Sequence, residues 1–391
     1  MARTVSVGID IGSHNTRVAV IETVKGKTGF VVAGTGISKS IGVRHGYVIN
    51  QEEASRGIRE AVQVAEKSSG VKIRKALISI GGISLESTIA TGSHIISRID
   101  GEVTQADVDR VIQACEENAH LSNKKVIHGF PLSFKLDGKE VLGRPEGMRG
   151  MKLLEAKVLF VSSLDQHLDN LIRAVESAGI EVEDVVAAPF AASLVTLTKA
   201  QRTAGCVLTN IGAETVSIVV FENDKPISLQ VFPIGSTDIT NDIALGLRIS
   251  LEEAENIKKG VLTQKDVPQK KLDEIIEARL KDIFDLIEAH LKKINRNGLL
   301  PAGVILTGGG ANLQVAEELA KVSLRLPARV TIPRILENQK DKTLDASWAV
   351  PYGLGILGFD DFYGSDLFQI SRVRAKNHFD GAISWVKQFL P

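Results

Sequence analysis

Hydrophobic and polar positions form two matching runs, one at the start of the chain and one about half a chain later. The first reads Val5-Ser-Val-Gly-Ile-Asp-Ile-Gly-Ser-His-Asn-Thr-Arg-Val-Ala-Val20, and the second reads Cys206-Val-Leu-Thr-Asn-Ile-Gly-Ala-Glu-Thr-Val-Ser-Ile-Val-Val220. Each has two β-branched segments on either side of a short turn that contains glycine, which is the pattern of a β-hairpin. The sequence therefore predicts the same hairpin twice.

The first hairpin belongs to a predicted layer of strands and helices. Strand-like segments lie at residues 5–9, 16–23, 30–37 and 76–80. Residues 51–68 carry apolar side chains at helical spacing, and this predicted helix ends at Gly70. A hairpin is antiparallel, whereas strands joined by a crossover helix are parallel. We therefore expect an α/β fold with a mixed sheet.

Residues from about 84 to 159 differ in character from those that precede them. Strand-like segments at 88–96, 125–136 and 155–161 surround a helix that begins at Thr104-Gln-Ala-Asp107, a sequence typical of a capping box. We expect this stretch to be a compact insertion. A helical pattern resumes at residues 165–179.

The second half repeats the plan of the first. Its strand-like segments are at residues 207–208, 215–221, 227–233 and 304–307, and its helix-like segments are at 237–247, 251–260 and 272–295. The chain has no Walker A motif and no Gly-x-Gly-x-x-Gly at a strand–helix junction. A doubled α/β domain with a nucleotide between its halves therefore fits better than a single Rossmann unit.

Composition narrows the possible functions. The 391 residues allow two or more domains, and 43% hydrophobic with 24% charged residues is typical of a globular protein. The formal net charge of +0 argues against a general nucleic-acid partner. The eight histidines lack metal-ligand spacing, and we expect Cys115 and Cys206 to be free, buried thiols. No apolar segment is long enough to span a bilayer as a helix.

The two glycine-containing turns are candidate phosphate loops. Successive N–H groups in such turns form an anion-binding nest, and two facing turns could grip a phosphate chain. The candidate phosphate contacts are Gly12, Ser13, His14 and Asn15, with Arg17 as an outer cation, and Gly212, Ala213 and Thr215.

A third glycine segment and a charged helix extend the candidate site. Gly308-Gly309-Gly310 follows an apolar strand and precedes Asn312, and a backbone without Cβ atoms could lie flat against a base or sugar. Glu255, Lys258 and Lys259 could reach a ribose or base from the end of their helix. The alternative for these three residues is a solvated charged face.

Three polar residues near the turns are candidates for metal chemistry. Asp10 ends the first strand of its hairpin, where a carboxylate beside phosphate oxygens would hold Mg²⁺ directly or through water, although many such Asp residues only form turns. Asn210 is at the equivalent place and can accept from a metal-bound water, but it carries no charge and cannot act as a base. Glu214 is either a metal partner or exposed to solvent, and the sequence leaves both alternatives open.

The C-terminal segment carries a different signal. Its apolar residues fall on one side of a helix and are Phe379, Ile383, Trp385, Val386, Phe389 and Leu390. An apolar stripe with aromatic residues, preceded by Arg372, Arg374 and Lys376, favours a helix that lies in a membrane interface. The alternative is a final helix docked on the core.

Together these residues resemble the FtsA family of bacterial cell-division proteins, within the actin-like ATPase superfamily, over nearly the whole chain. Asp10-Ile-Gly-Ser and Asn210-Ile-Gly-Ala-Glu-Thr215 match its two phosphate loops, and Leu306-Thr-Gly-Gly-Gly-Ala311 matches its adenosine loop. More specific to this family are Gly46-Tyr-Val-Ile-Asn50 and Pro145-Glu-Gly-Met148. The resemblance implies an α/β, actin-like (ribonuclease H-like) two-domain fold with an inserted subdomain.

The resemblance also implies the boundaries of the structural units. The expected units are residues 1–83 and 162–193 as the first lobe, 84–161 as the inserted subdomain, 194–237 and 304–358 as the second lobe, 238–303 as its small subdomain, 359–378 as a linker and 379–391 as a membrane-targeting helix.

The function implied by the resemblance is that of an ATP- and Mg²⁺-binding, filament-forming adaptor. It would lie on the cytoplasmic face of the cell membrane at the division septum and bind lipid through its terminal helix. Its small subdomain would bind the C-terminal peptide of the tubulin-like FtsZ. The inserted subdomain would contribute to self-association and to contacts with later division proteins.

Two departures from the superfamily pattern weaken the expectation of fast hydrolysis. Asn210 replaces an Asp that many members carry, and Ala188 stands where an acid or amide often helps to place the attacking water. We therefore expect ATP to act mainly as a structural and polymerisation ligand, with slow hydrolysis at best. Two alternatives remain: an adaptor of pilus assembly similar to PilM, and a metabolite kinase, for which no substrate-facing carboxylate base is identified.

Overall fold

The computed structural model describes residues 4–23, 29–261, 268–333 and 345–359. The predicted membrane helix at 379–391, and the predicted linker beyond its first residue, lie outside these residues. Within the described ranges, no helix combines the length and the apolar character that crossing a bilayer requires.

The strands are β1 (Thr4–Ile11), β2 (Asn15–Thr23), β3 (Phe30–Lys39), β4 (Val43–Arg44), β5 (Tyr47–Val48), β6 (Lys75–Ile80), β7 (Glu86–Ile95), β8 (Lys124–Leu136), β9 (Lys139–Val141), β10 (Leu153–Leu164), β11 (Glu181–Ala187), β12 (Cys206–Ile211), β13 (Val216–Glu222), β14 (Lys225–Phe232), β15 (Gly303–Thr307) and β16 (Ala328–Val330). The helices are α1 (Gln51–Ser69), α2 (Gln105–Asn118), α3 (Asp165–Ser177), α4 (Ala188–Thr196), α5 (Lys199–Ala204), α6 (Ser236–Leu247), α7 (Leu251–Lys258), α8 (Gln269–Lys293), α9 (Ala316–Leu324) and α10 (Ala349–Leu357).

Two five-stranded sheets, one in each lobe, have the same topology. In the first lobe the order is β3-β2-β1-β6-β11, with β1 antiparallel to β2 and parallel to β6. In the second lobe the order is β14-β13-β12-β15-β16, with β12 antiparallel to β13 and parallel to β15. The repeated hairpin is therefore part of a whole-sheet repeat. The expected mixed sheet is confirmed in both halves.

Local sequence accounts for the helix that covers the first sheet. The Asn50 side chain accepts a hydrogen bond from the N–H of Glu53 at the start of α1, and Gly70 takes the left-handed conformation just after its end. Between these caps, α1 buries Ile58, Ala61 and Val62 against the sheet. The end predicted at Gly70 is confirmed.

The stretch expected to be an insertion is a four-stranded antiparallel sheet in the order β7-β10-β8-β9, with α2 packed on it. The predicted capping box is present, because Thr104 accepts from the N–H of Asp107 while the Asp107 carboxylate accepts from the N–H of Thr104. This unit also contacts the second lobe. The Ser87 hydroxyl of β7 donates to the carbonyl of Leu229 in β14 and accepts from its N–H.

Two buried helices connect the lobes, and three others fall in the stretch expected to be the small subdomain. Helices α4 and α10 pack against each other, and nearly every residue in them is buried. Helices α6, α7 and α8 share one apolar core with the second sheet. Some elements have no counterpart in the sequence-based prediction: β4, β5, β9, β11, β16, α5 and α9.

Candidate functional site

The two hairpin turns have matching hydrogen bonds. The Gly12 N–H donates to the carbonyl of Asn15 at 3.2 Å, and the Gly212 N–H donates to the carbonyl of Thr215 at 2.9 Å. Among the described residues, no backbone carbonyl accepts from the N–H groups of the two central residues of either turn, Ser13–His14 and Ala213–Glu214. Unpaired successive N–H groups are what an anion-binding nest requires.

A short loop of the first lobe brings the two turns together. Between β4 and β5, the N–H of His45 donates to Glu214 Oε2 at 2.6 Å, and His45 Nδ1 lies 3.2 Å from the carbonyl oxygen of Glu214. The next N–H, that of Gly46, donates to Ser13 Oγ at 3.0 Å. Two residues of one loop thus contact the turns of both lobes. For Glu214, the structure gives a protein partner that neither sequence-based alternative included.

Asp10 is a half-buried residue whose carboxylate lies near the first turn. Its Oδ1 accepts from Ser79 Oγ at 2.6 Å, and Arg17 is its register partner on β2. Burial raises the pKa of Asp10, while the Ser79 hydrogen bond and the Arg17 charge oppose that shift. A carboxylate whose burial is incompletely compensated is a good ligand for a hard cation. The residues present therefore fit the Mg²⁺ predicted for this position.

Arg17 is a half-buried cation near the first turn, and its Nε atom is buried. Its charge interacts with Asp10 and Asp345, and its guanidinium carbon lies 5.9 Å from the ring centroid of Trp348. Burial lowers the pKa of Arg17, and its Nε has no hydrogen-bond partner among the described residues. A buried cationic donor without a partner fits an anionic ligand nearby, as the nest also does.

The third glycine segment is only partly open. Gly308 has φ 88° and ψ 167°, a conformation almost restricted to glycine, and a Cβ there would lie 2.3 Å from Asn210 Oδ1. A Cβ on Gly310 would lie 2.4 Å from a methyl carbon of Ile211, whereas one on Gly309 would meet nothing closer than 4.0 Å. Gly308 and Gly310 therefore serve internal packing, and Gly309 leaves open space for a ligand.

Asn312 and Asn210, two further predicted contacts, lie on either side of this segment. The Asn312 amide donates to Asp345 Oδ1 at 2.8 Å, and Asp345 also accepts from Ser347. Because Asp345 interacts with Arg17 as well, the third segment is tied to the first hairpin. Asn210, close to Gly308, brings no charge to the second turn.

Glu255, Lys258 and Lys259 form one network at the edge of the small subdomain. Lys258 Nζ lies 2.7 Å from Glu255 Oε2 and donates to the carbonyl of Ser236 at 2.9 Å. Burial alone would raise the pKa of Glu255, but hydrogen bonds from Lys258 and Thr240 lower it to about 2. The alternative of a solvated charged face is therefore wrong for Lys258, whose side chain is 7% exposed, and holds better for Lys259 at 53%.

His14 links this network to the first turn. Burial lowers the pKa of His14, and the charges of Glu255 and Lys259 act on it in opposite directions. Residues from the first hairpin, the small subdomain and the third glycine segment thus meet at one cleft between the lobes. Sequence reasoning missed His45, Ser79 and Asp345, because tertiary contacts alone bring them to the cleft.

A doubled mixed sheet with paired turns at an interlobe cleft and an inserted subdomain defines an actin-like protein. A structure of the PilM–PilN type IV pilus biogenesis complex matches with a TM-score of 0.68 and 16% identity, over 91% of this chain and 99% of that chain. MreB5 of Spiroplasma citri bound to ADP matches with a TM-score of 0.51 and 11% identity, over 90% of this chain and 95% of that chain. At these identities the matches show the fold, which confirms the expected fold class.

The chain belongs to the FtsA family. The family described as "Cell division protein FtsA" matches residues 207–353, and "SHS2 domain inserted in FTSA" matches residues 82–162. Cell division protein FtsA of Bacillus subtilis is 30% identical over 351 residues, which cover 84% of this chain and 79% of that protein. Those of Pseudomonas aeruginosa and Borreliella burgdorferi are each 29% identical, over 90% and 96% of this chain and 88% and 96% of the matched proteins.

Proposed function

We propose that this chain is an ATP-binding, actin-like division protein that polymerises and holds FtsZ filaments at the cytoplasmic face of the cell membrane. One observation carries the nucleotide part of the proposal: His45 and Gly46 join the turns of the two lobes, so that both sets of unpaired turn N–H groups lie at one cleft. The MreB5 of Spiroplasma citri, which is similar in fold, has a structure bound to ADP, and this supports the same assignment.

The residues of the cleft have distinct roles in this proposal. The turn N–H groups bind the phosphate chain, and Arg17 stabilises its charge. Asp10 holds Mg²⁺, which neutralises phosphate oxygens when bound. The network of Lys258 and Glu255 orients the sugar or base, and Gly309 supplies an open backbone surface beside it.

We further propose that hydrolysis is slow. Ala188 begins α4, and Asn210 lies at the end of β12 next to Gly308, so neither offers a carboxylate to orient an attacking water. Restoring a carboxylate with Asn210→Asp should raise the turnover of Mg-ATP in the full chain. Turnover that is already fast in the unchanged protein would contradict the structural role of ATP.

The decisive test of nucleotide binding is calorimetry on the full chain with ATP, with and without Mg²⁺. Saturable binding that strengthens with Mg²⁺ is expected, together with sedimentation of filaments in the presence of Mg-ATP. If ATP does not bind under either condition, the proposed nucleotide binding is refuted, even though the chain belongs to the FtsA family.

The membrane and FtsZ parts rest on the sequence. The aromatic stripe of residues 379–391 favours interfacial binding, and the family membership favours FtsZ as partner. The full chain and a chain ending at residue 378 should be pelleted with anionic phospholipid vesicles carrying a synthetic FtsZ C-terminal peptide in solution. The full chain should recruit the peptide to the vesicles, and the shortened chain should bind the peptide without the lipid.

The same assay separates the proposed function from a PilM-like role, which the similarity of fold to the pilus protein raises. A PilM-like adaptor would not bind the FtsZ peptide. Binding of neither peptide nor lipid by the full chain would refute the proposal for FtsZ and for the membrane.

A further inference from the structure

Three consecutive residues, His45, Gly46 and Tyr47, contact three separate parts of the molecule. His45 bonds with Glu214 in the second-lobe turn, and Gly46 bonds with Ser13 in the first-lobe turn. Tyr47 contacts neither turn. Its ring stacks on the imidazole of His167 in α3, with a centroid distance of 3.8 Å and an interplanar angle of 30°. One short loop thus connects both turns to α3 of the first lobe.

Close backbone packing leaves this loop little freedom to move independently. His45 and Gly46 both have positive φ, at 48° and 76°. A Cβ on Gly46 would lie 2.5 Å from the Cα of Gly82, and a Cβ on Gly82 would lie 2.5 Å from the ring of Tyr47. Any displacement of the loop must therefore be shared with the chain at Gly82.

Gly82 is next to the place where the chain enters the inserted subdomain. Ser84 is hydrogen-bonded to Tyr47 and lies 3.1 Å from His167 Nδ1. Its Oγ is also 2.9 Å from that of Ser163, which lies where the chain leaves the inserted subdomain. Both crossings of the chain are thus tied to Tyr47 and His167 by ring stacking and hydrogen bonds.

We propose that residues 45–47 are a relay that couples the second-lobe turn at Glu214 to the two chain crossings of the inserted subdomain. Glu214 is the positioning residue at one end of the relay, and Ser84 with Ser163 is the other end. A ligand that moves the second-lobe turn pulls on His45, and the packed Gly46–Gly82 contact passes that movement to Ser84. The orientation of the inserted subdomain then depends on the state of the cleft.

The identity of the ligand rests on the proposed function, but the first test of the relay needs no ligand. Hydrogen exchange of the ligand-free full chain is compared for Glu214→Ala, Glu214→Gln and the unchanged protein. Loss of the carboxylate should speed exchange roughly tenfold in peptides covering 43–48, 82–86 and 163–167. Glutamine should restore slow exchange, because its amide oxygen still accepts from the His45 N–H.

Glu222→Ala is the matched control, since Glu222 is a half-buried acid at the far end of β13 that pairs with Arg296. It should leave exchange at 82–86 and 163–167 unchanged. Circular dichroism checks that each variant is folded. If alanine unfolds the chain, Tyr47→Leu carries the test, because loss of the ring stacked on His167 should speed exchange at 82–86 and 163–167. Unchanged exchange at both crossings in a folded Glu214→Ala protein would overturn the relay.

A second arm adds Mg-ATP after its binding has been measured separately. The unchanged protein should show altered exchange at 82–86 and 163–167 on binding. Tyr47→Leu, which removes the ring stacked on His167 and touches neither turn, should bind but lose that response. Binding without any response at the crossings would overturn the relay and leave the proposed function intact. Absence of binding would instead refute the proposed function, and the ligand-free arm would still decide the relay.

Discussion

Asp10 and Arg17 face each other as register partners across the first hairpin, and both residues are half-buried. Their attraction does not fully offset burial, because the pKa of Asp10 is raised and that of Arg17 is lowered. A cation at Asp10 and an anion near Arg17 would together compensate this cost. The pair is therefore better suited to a ligand than to holding the hairpin together.

The first prediction concerns pH and Asp10. A raised pKa means that the carboxyl takes up a proton at a higher pH than an ordinary Asp, and a proton there excludes Mg²⁺. Affinity for Mg-ATP should therefore fall as pH is lowered, beginning above the usual range of Asp. Asp10→Asn should lose the Mg²⁺-dependent part of binding and this pH dependence together, as measured by calorimetry from neutral to acid pH.

Ser79→Ala tests the direction in which the pH dependence of Mg-ATP affinity shifts. The Ser79 hydroxyl donates to Asp10 Oδ1 and stabilises its charged form, so its removal should raise the pKa of Asp10 further. Loss of Mg-ATP affinity should then begin at a higher pH than in the unchanged protein. A shift to lower pH would show that Asp10 is not the group that titrates.

The second prediction concerns the glycine at the junction of the third segment. Gly308→Ala should destabilise the protein by about 3 kcal/mol, because its backbone conformation is nearly glycine-only and the new methyl would contact Asn210 and Ile211. Thermal unfolding of the ligand-free chain measures this loss.

Gly298→Ala is the control, since Gly298 also has a positive φ, of 68°, but a Cβ there meets nothing within 4 Å. It should cost about 1 kcal/mol, from backbone strain alone. Equal losses in the two variants would mean that contact with Asn210 contributes nothing.

The third prediction separates two neighbouring lysines. Lys258→Met should destabilise the small subdomain by about 2 kcal/mol, since the carbonyl of Ser236 and the carboxylate of Glu255 both lose a charged donor whose side chain is only 7% exposed. Lys259→Met, at a half-exposed side chain, should cost less than about 0.5 kcal/mol. Denaturant unfolding of both variants provides the comparison.

Acid conditions test the same network. The pKa of Glu255 is lowered to about 2, so its contribution to stability is present above its ordinary pKa of about 4.3 and is lost as pH falls toward 2. In Lys258→Met this acid-dependent loss should be smaller, because the pKa of Glu255 is lowered less when Lys258 is absent. An identical acid dependence in both proteins would assign it to other carboxyls.

Periodicity predicted most of the fold because its elements are locally encoded. The helix ending at Gly70 and the capping box at Thr104 depend on neighbours in sequence, and both are confirmed. The strand Glu181–Ala187 was missed because it carries charged residues yet lies at the edge of the first sheet, paired only with β6. Its pairing, and not its composition, makes it a strand.

The candidate site was predictable only where glycine and turn chemistry mark it. The turns at Gly12 and Gly212 can be recognised from the sequence, and the structure brings both to one cleft. His45 and Asp345 carry no such mark, because they reach the cleft through a two-residue hairpin and a helix start distant in sequence. The Gly308–Gly310 segment was predicted to be an open surface for a base or sugar, but two of its three glycines pack against the protein itself.

The last prediction concerns Asp107, which holds the inserted subdomain's loop between β7 and α2. This fully buried carboxylate accepts hydrogen bonds from the N–H groups of Ser97 and Thr104, and from their hydroxyls, and lies 3.3 Å from His94 Nε2. Asp107→Ala would leave two backbone donors without partners, at a cost of about 3 kcal/mol. Thermal unfolding and limited proteolysis of the inserted subdomain should both report this loss.

Asp109→Ala, on the exposed face of the same helix, should change the free energy of unfolding by less than about 0.5 kcal/mol. Burial alone would raise the pKa of Asp107, but hydrogen bonds from Ser97 and Thr104 hold it well below its usual range. Its contribution is therefore complete above about pH 3.9 and is lost only as pH falls further, so Asp107→Ala should be destabilised at neutral pH and less sensitive to acid. A variant as stable as Asp109→Ala at pH 7 would contradict the central place of Asp107 in the loop, because nothing else in the described chain replaces its bonds to both backbone groups.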